Sequence, residues 1–120
     1  MAEKDERGRA GEDRAVGHLE RAGFCILERN WRCPQGEIDI IAERADALAF
    51  VEVKTRSGLG YGHPFEAITR RKLLRMHRLA VAWVIAHPDA AWGRSIRLDA
   101  IAITGRDLAT ASIEHLQGLR

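Results

Sequence analysis

The chain has 120 residues, 46% of them hydrophobic and 30% charged, and its 19 Lys+Arg against 17 Asp+Glu give a formal charge of +2. That length suits one domain with a modest core, here 1–120 with residues 1–7 expected as a flexible tail, and so small a charge excludes arguing for nucleic acid from net charge alone. Cys25 and Cys33 lack a second CxxC or finger-spaced histidines, which argues against a zinc finger or a disulfide framework and for two small, reduced, packed residues.

Residues 8–22 place Ala15, Val16, Leu19 and Ala22 at helical spacing, and Gly23 follows where helices commonly stop. Glu12 falls in line with this apolar stripe, so a carboxylate on the buried side needs a partner. A short apolar run, Phe24 to Leu27, precedes an edge or turn passage from Asn30 to Gly36 in which Trp31 reads as a packing residue. Strands are predicted at Glu37–Ala42 and Leu48–Thr55, joined by Glu43–Ala47 as a hairpin connection. Ser57 to Pro64, rich in glycine, reads as a flexible loop. A long helix is predicted from Pro64 to about Ala86, with Phe65, Ile68, Met76, Leu79, Ala80 and Trp83 as its apolar stripe. Strands at Ile96–Ile103 and Ile113–Leu116 complete the order α, β, β, β, α, β, β, an α/β fold with a mixed central sheet flanked by helices.

Three charged pairs lie inside these strands, each two residues apart: Glu37/Asp39, Glu52/Lys54 and Arg97/Asp99. Side chains on a strand alternate, so each pair projects from one face, while Ile38/Ile40, Val51/Val53 and Leu98/Ala100 project from the other. Charges within buried strands are costly unless paired or bound, so their repetition predicts a shared site. Asp39 and Glu52 offer the oxygen donors that Mg²⁺ prefers, and the backbone carbonyl of Val53 lies near the same edge. Lys54 stands two residues beyond Glu52, suited to orient water and offset charge on a phosphate. Glu12 is expected to reach this site from the first helix. Arg97/Asp99 reads first as a satisfied structural pair and second as a buttress to the site. Arg71, Arg75 and Arg78 form a basic ridge on the second helix, a solvated face or a phosphate-contacting one.

Glu12 on a first helix, Asp39 in GEIDIIA and Glu52-Val53-Lys54 in FVEVKTR together resemble the PD-(D/E)XK signature of the restriction-endonuclease-like superfamily, in a layout similar to archaeal Holliday-junction resolvases. NWRCPQGEIDIIA, FVEVKTR, PFEAITRRK and IRLDAIAI resemble, more closely, the small bacterial YraN-like proteins. The resemblance implies that Asp39 and Glu52 are ligands of Mg (or Mn), Lys54 the water-orienting lysine and Glu12 the helix-borne carboxylate. Ile38 stands where the superfamily name has proline. Lys72 approximates polar helix residues that some branches place near the phosphate, and Glu37 has no fixed role there.

The expected function is therefore Mg²⁺-dependent hydrolysis of phosphodiester bonds in structured or single-stranded DNA. The alternative is a nucleic-acid- or partner-binding module of the same fold with little or no hydrolysis. Glycoside hydrolysis by paired carboxylates is disfavoured by Lys54 and by the lack of a long aromatic-lined groove. Resolvase-like relatives imply a homodimer, for which the sequence shows no seam. The charged N-terminus lacks a signal-peptide apolar region and no stretch approaches the ~20 apolar residues of a membrane span, so a cytoplasmic location without a membrane partner is expected.

Overall fold

A computed structural model describes residues 5–60 and 62–120 of the chain; Met1–Lys4 of the expected tail and Tyr61 of the expected loop lie outside the described residues. Helix α1 (Glu6–Arg21) leads into strands β1 (Cys25–Cys33), β2 (Gly36–Arg44) and β3 (Ala47–Arg56). A 3-10 turn (Pro64–Ala67) then precedes α2 (Arg70–Ala86), the short α3 (Pro88–Ala91), β4 (Ser95–Thr104) and β5 (Ser112–Leu116). The five strands lie side by side in chain order, antiparallel except for the parallel pair β3 and β4. Parallel neighbours need a crossover, and α2 supplies it.

The helices take opposite faces of the sheet. Ala15 and Leu19 of α1 pack on Ile40, Ala42, Ala49, Val51, Ile101 and Ile103. Met76, Leu79, Ala80 and Trp83 of α2 pack on Ile41, Leu48, Phe50 and Leu98, with the Trp83 and Phe50 rings edge to face at 5.8 Å between centroids. Alternation along β3 therefore feeds two cores.

Several boundaries differ from the sequence expectation, each for a local reason. Helix α1 begins at Glu6 because Asp5 caps it, its Oδ1 accepting from the Gly8 N–H at 2.7 Å. Arg7 is tied down by donating to the carbonyls of Gly105 and Arg106, so residues 5–7 belong to the folded body. The long helix does not start at Pro64: Thr69 is the cap of α2, its Oγ1 accepting from the Lys72 N–H at 3.1 Å, which leaves Phe65 and Ile68 outside the helical stripe. The passage from Asn30 to Gly36 is mostly strand, and β1 forms one continuous edge with a bulge between Ile26 and Glu28. Cys25, at the outer start of that edge, is exposed rather than packed, and Cys33 is half-buried; both are free.

The candidate active site

The β2–β3 ladder ends at the pair Ile40 and Val51. One position further on, at Asp39 and Glu52, the strands part. The Val53 N–H donates to Asp39 Oδ2 at 2.8 Å, so a side chain takes over where the backbone ladder stops. A strand residue directs its N–H and C=O to the same side, so the Val53 carbonyl leaves the strand toward Asp39. The splay also breaks the expected pairing of Ile38 with Ile40. Ile38 joins the α2 core and Ile40 the α1 core.

Asp39 and Glu52 line one hollow of about 270 Å³, with Glu37, Lys72 and Arg75 around it and Met76 and Leu79 at its apolar wall. Glu52 Oε2 receives two ammonium groups, Lys72 Nζ at 2.7 Å and Lys54 Nζ at 3.2 Å. Burial pushes the Glu52 carboxyl up, but the hydrogen bonds and charges of Lys72 and Lys54 outweigh it and hold the group below its ordinary range. Glu37, at the rim, accepts from Arg32 Nε at 2.7 Å.

Glu12 is buried and its Oε1 accepts from Arg29 Nε and Asn30 Nδ2, both at 2.9 Å. Arg29 also bridges to Asp13 at 2.7 Å. Asn30 holds its place with a left-handed φ of 54°, costly for a non-glycine residue within a strand. Glu12 faces a second hollow, about 330 Å³, shared with Gly8, Lys54 and Thr55. The four predicted catalytic residues are thus divided, Asp39 and Glu52 in one hollow and Glu12 and Lys54 in the other, joined by the Lys54–Glu52 ion pair. Among the described residues no three His, Cys, Asp or Glu side chains gather as a metal-ligand cluster.

Arg97 and Asp99 do not buttress this site. The parallel register sets Asp99 beside Val51 and Ala100 beside Glu52, so Asp99 lies on the α1 face, opposite Glu52. There it is fully buried, bonded bidentately by Arg97 at 2.9 and 2.8 Å, by His115 Nε2 at 2.8 Å and by the Gly118 N–H at 3.1 Å. The basic ridge, in contrast, adjoins the site. Arg71, Lys72, Arg75 and Arg78 line a hollow of about 450 Å³, and Lys72 and Arg75 also line the acidic one. Arg71, Arg75 and Arg78 are exposed and form no ion pair with the described residues.

Residues 11–103 match the model of the uncharacterised protein family UPF0102. The chain belongs to UPF0102. It is 47% identical over 119 residues to a UPF0102 protein of Beutenbergia cavernae, covering 99% of both chains. It is 49% identical over 120 residues to one from Pseudarthrobacter chlorophenolicus, covering 99% of this chain and 89% of that one. A UPF0102 protein of Frankia casuarinae is 42% identical over 118 residues, 98% of each chain. This is the family of the YraN-like proteins, so that part of the resemblance is established.

The UPF0102 match includes Glu12, Asp39, Glu52, Lys54 and the basic ridge, but starts after Gly8 of the Glu12 hollow and stops before β5. Sequence reasoning missed Arg29 and Asn30 as the partners of Glu12, although a buried carboxylate in the α1 stripe demanded some donor. It also ranked Lys72 below Lys54, because no local pattern brings the first turn of α2 onto Glu52. No helix among the described residues is long and apolar enough to cross a membrane.

Proposed function

We propose that this UPF0102 chain is a Mg²⁺-dependent nuclease of the restriction-endonuclease-like type, hydrolysing phosphodiester bonds in structured or single-stranded DNA. One observation carries the reading: two carboxylates, Asp39 and Glu52, line a hollow at a strand splay that opens beside a groove of four cationic side chains. A divalent cation between these carboxylates and a phosphodiester would let the two meet, and the adjoining basic groove attracts the neighbouring phosphates along the strand.

The residues present fit Mg²⁺ or Mn²⁺. Asp39, Glu52 and the Val53 carbonyl would hold it with hard oxygen donors, and Glu52 is kept ionised by its lysines. Both lysines take Oε2, and no described residue donates to Oε1. When bound, the metal supplies charge neutralisation at the phosphate and an acidified water as nucleophile. Lys54 holds its ammonium beside Glu52, where it orients that water and offsets charge building on the phosphate. Arg75 and Lys72 bind phosphate oxygens at the hollow's rim. Glu12, fixed by Arg29 and Asn30, lines the hollow that Lys54 shares.

A panel of radiolabelled branched, flapped, single-stranded and duplex DNAs, incubated with Mg²⁺ or Mn²⁺, tests the proposal. Cleavage should require the divalent ion and fall by roughly hundredfold or more in Lys54→Ala. The second reading, a binding module, is favoured by the double neutralisation of Glu52 by Lys72 and Lys54. It replaces the first if no nucleic acid in the panel is cut while binding persists.

A further inference from the structure

Lys72 belongs to two hollows at once. Its Nζ lies 2.7 Å from Glu52 Oε2 in the acidic hollow, and the same residue lines the basic groove with Arg71, Arg75 and Arg78. Of the two lysines on Glu52 it makes the shorter contact, and only it touches the groove, since Lys54 opens to the hollow of Glu12. It is partly exposed, with 23% of its side chain accessible, and a lysine stem carries its ammonium on a flexible four-carbon chain.

Resting on the nuclease reading above, we propose that Lys72 is a latch that couples cation binding to nucleic-acid binding: without substrate it masks Glu52, and a phosphate arriving in the basic groove draws it away. The argument is one of competing partners. In the free protein the nearest anion to Lys72 is Glu52, and a divalent ion entering the hollow must approach a carboxylate already neutralised by two ammonium groups. A phosphate held by Arg71, Arg75 and Arg78 offers Lys72 a second anion beside the first. Moving the ammonium onto it uncovers Glu52 and lets the cation take the vacated charge. Linkage then requires the converse, that a bound cation releases Lys72 to the groove and tightens phosphate binding by the same factor. The protein is thereby spared a standing metal site and assembles one where a strand of nucleic acid is in place.

Mn²⁺ titrations followed by electron paramagnetic resonance test this, with and without a short oligothymidylate, and with a neutral methylphosphonate oligomer as the uncharged control. In the wild type the oligothymidylate should tighten Mn²⁺ binding by roughly tenfold beyond the ions the oligomer holds by itself, and the methylphosphonate oligomer should not. Lys72→Met keeps the stem without the charge: its Mn²⁺ affinity without DNA should rise and its coupling should fall to near unity. Lys54→Met also relieves Glu52 but leaves the groove alone, so its affinity should rise while the coupling survives. Equal coupling in Lys72→Met and the wild type overturns the latch and leaves the nuclease reading standing. Absence of Mn²⁺ binding in all three proteins, with or without oligothymidylate, overturns both.

Discussion

Asp39 serves the backbone and the acidic hollow with one carboxylate, and its two duties separate on substitution. Asparagine retains an oxygen for the Val53 N–H but loses the charge, so Asp39→Asn should leave the melting temperature within about 2 °C of wild type. Its Mn²⁺ affinity should fall at least about tenfold, whereas Lys54→Ala should retain metal binding and lose hydrolysis. Calorimetry beside the Mn²⁺ titration reads both. Asp99 has a different role, legible only in part from sequence: the charged pair was visible, its face was not. Burial pushes its carboxyl up, yet the bonds from His115, Arg97 and the Gly118 N–H hold it below its ordinary 3.8. The folded state therefore gives up this proton more readily than the unfolded chain. The resulting stability is complete above that ordinary value and is lost as pH falls through the lower folded one. Asp99→Ala, which leaves Arg97 and His115 without their partner, should cost about 3–5 kcal/mol at pH 7. Urea melts should show that difference shrinking below pH of about 4.

Helix α1 approaches β3 as closely as it does because residue 11 has no side chain. A Cβ there would lie 2.1 Å from Thr55 Oγ1 and 3.1 Å from Thr55 Cβ, so no rotamer of Thr55 relieves the contact fully. Alanine gains about 1 kcal/mol of helix propensity, but the overlap costs about 1–3 kcal/mol. Gly11→Ala should therefore destabilise, and adding Thr55→Ala should recover part of the loss; strictly additive costs in that double-mutant cycle would mean that the helix simply shifts outward. The hairpin between β2 and β3 shows why some boundaries were hidden. Its turn is only Ala45 and Asp46, and Ala45 adopts φ 55°, without the Asn-Gly or Asp-Gly pair that announces so tight a connection. A longer link was the natural expectation from the residues. The Thr69 cap was hidden too, because Pro64, five residues earlier, offers a stronger helix-start signal and the chain uses it for a 3-10 turn instead.

For the whole molecule, a net charge of +2 conceals an acidic hollow and a basic groove side by side on the α2 face. DNA binding should accordingly weaken with salt, and neutralising Arg71, Arg75 and Arg78 together should reduce the slope of log affinity against log salt by roughly two to three units. A slope unchanged in filter-binding or anisotropy titrations would return the ridge to plain solvent. The order of helices and strands, and the residue types that make a carboxylate and lysine site, were determined by the sequence itself, because periods of 2 and 3.6 are local properties of a chain. Which charges share a face was decided by tertiary structure. The phase of β4 against β3 depends on a parallel register set through a crossover, and it sends Arg97 and Asp99 to the face opposite Glu52. Lys72 on Glu52, and Arg29 with Asn30 on Glu12, are likewise contacts between separate elements. No periodicity encodes them, since they form only when α1 and α2 have packed on the sheet.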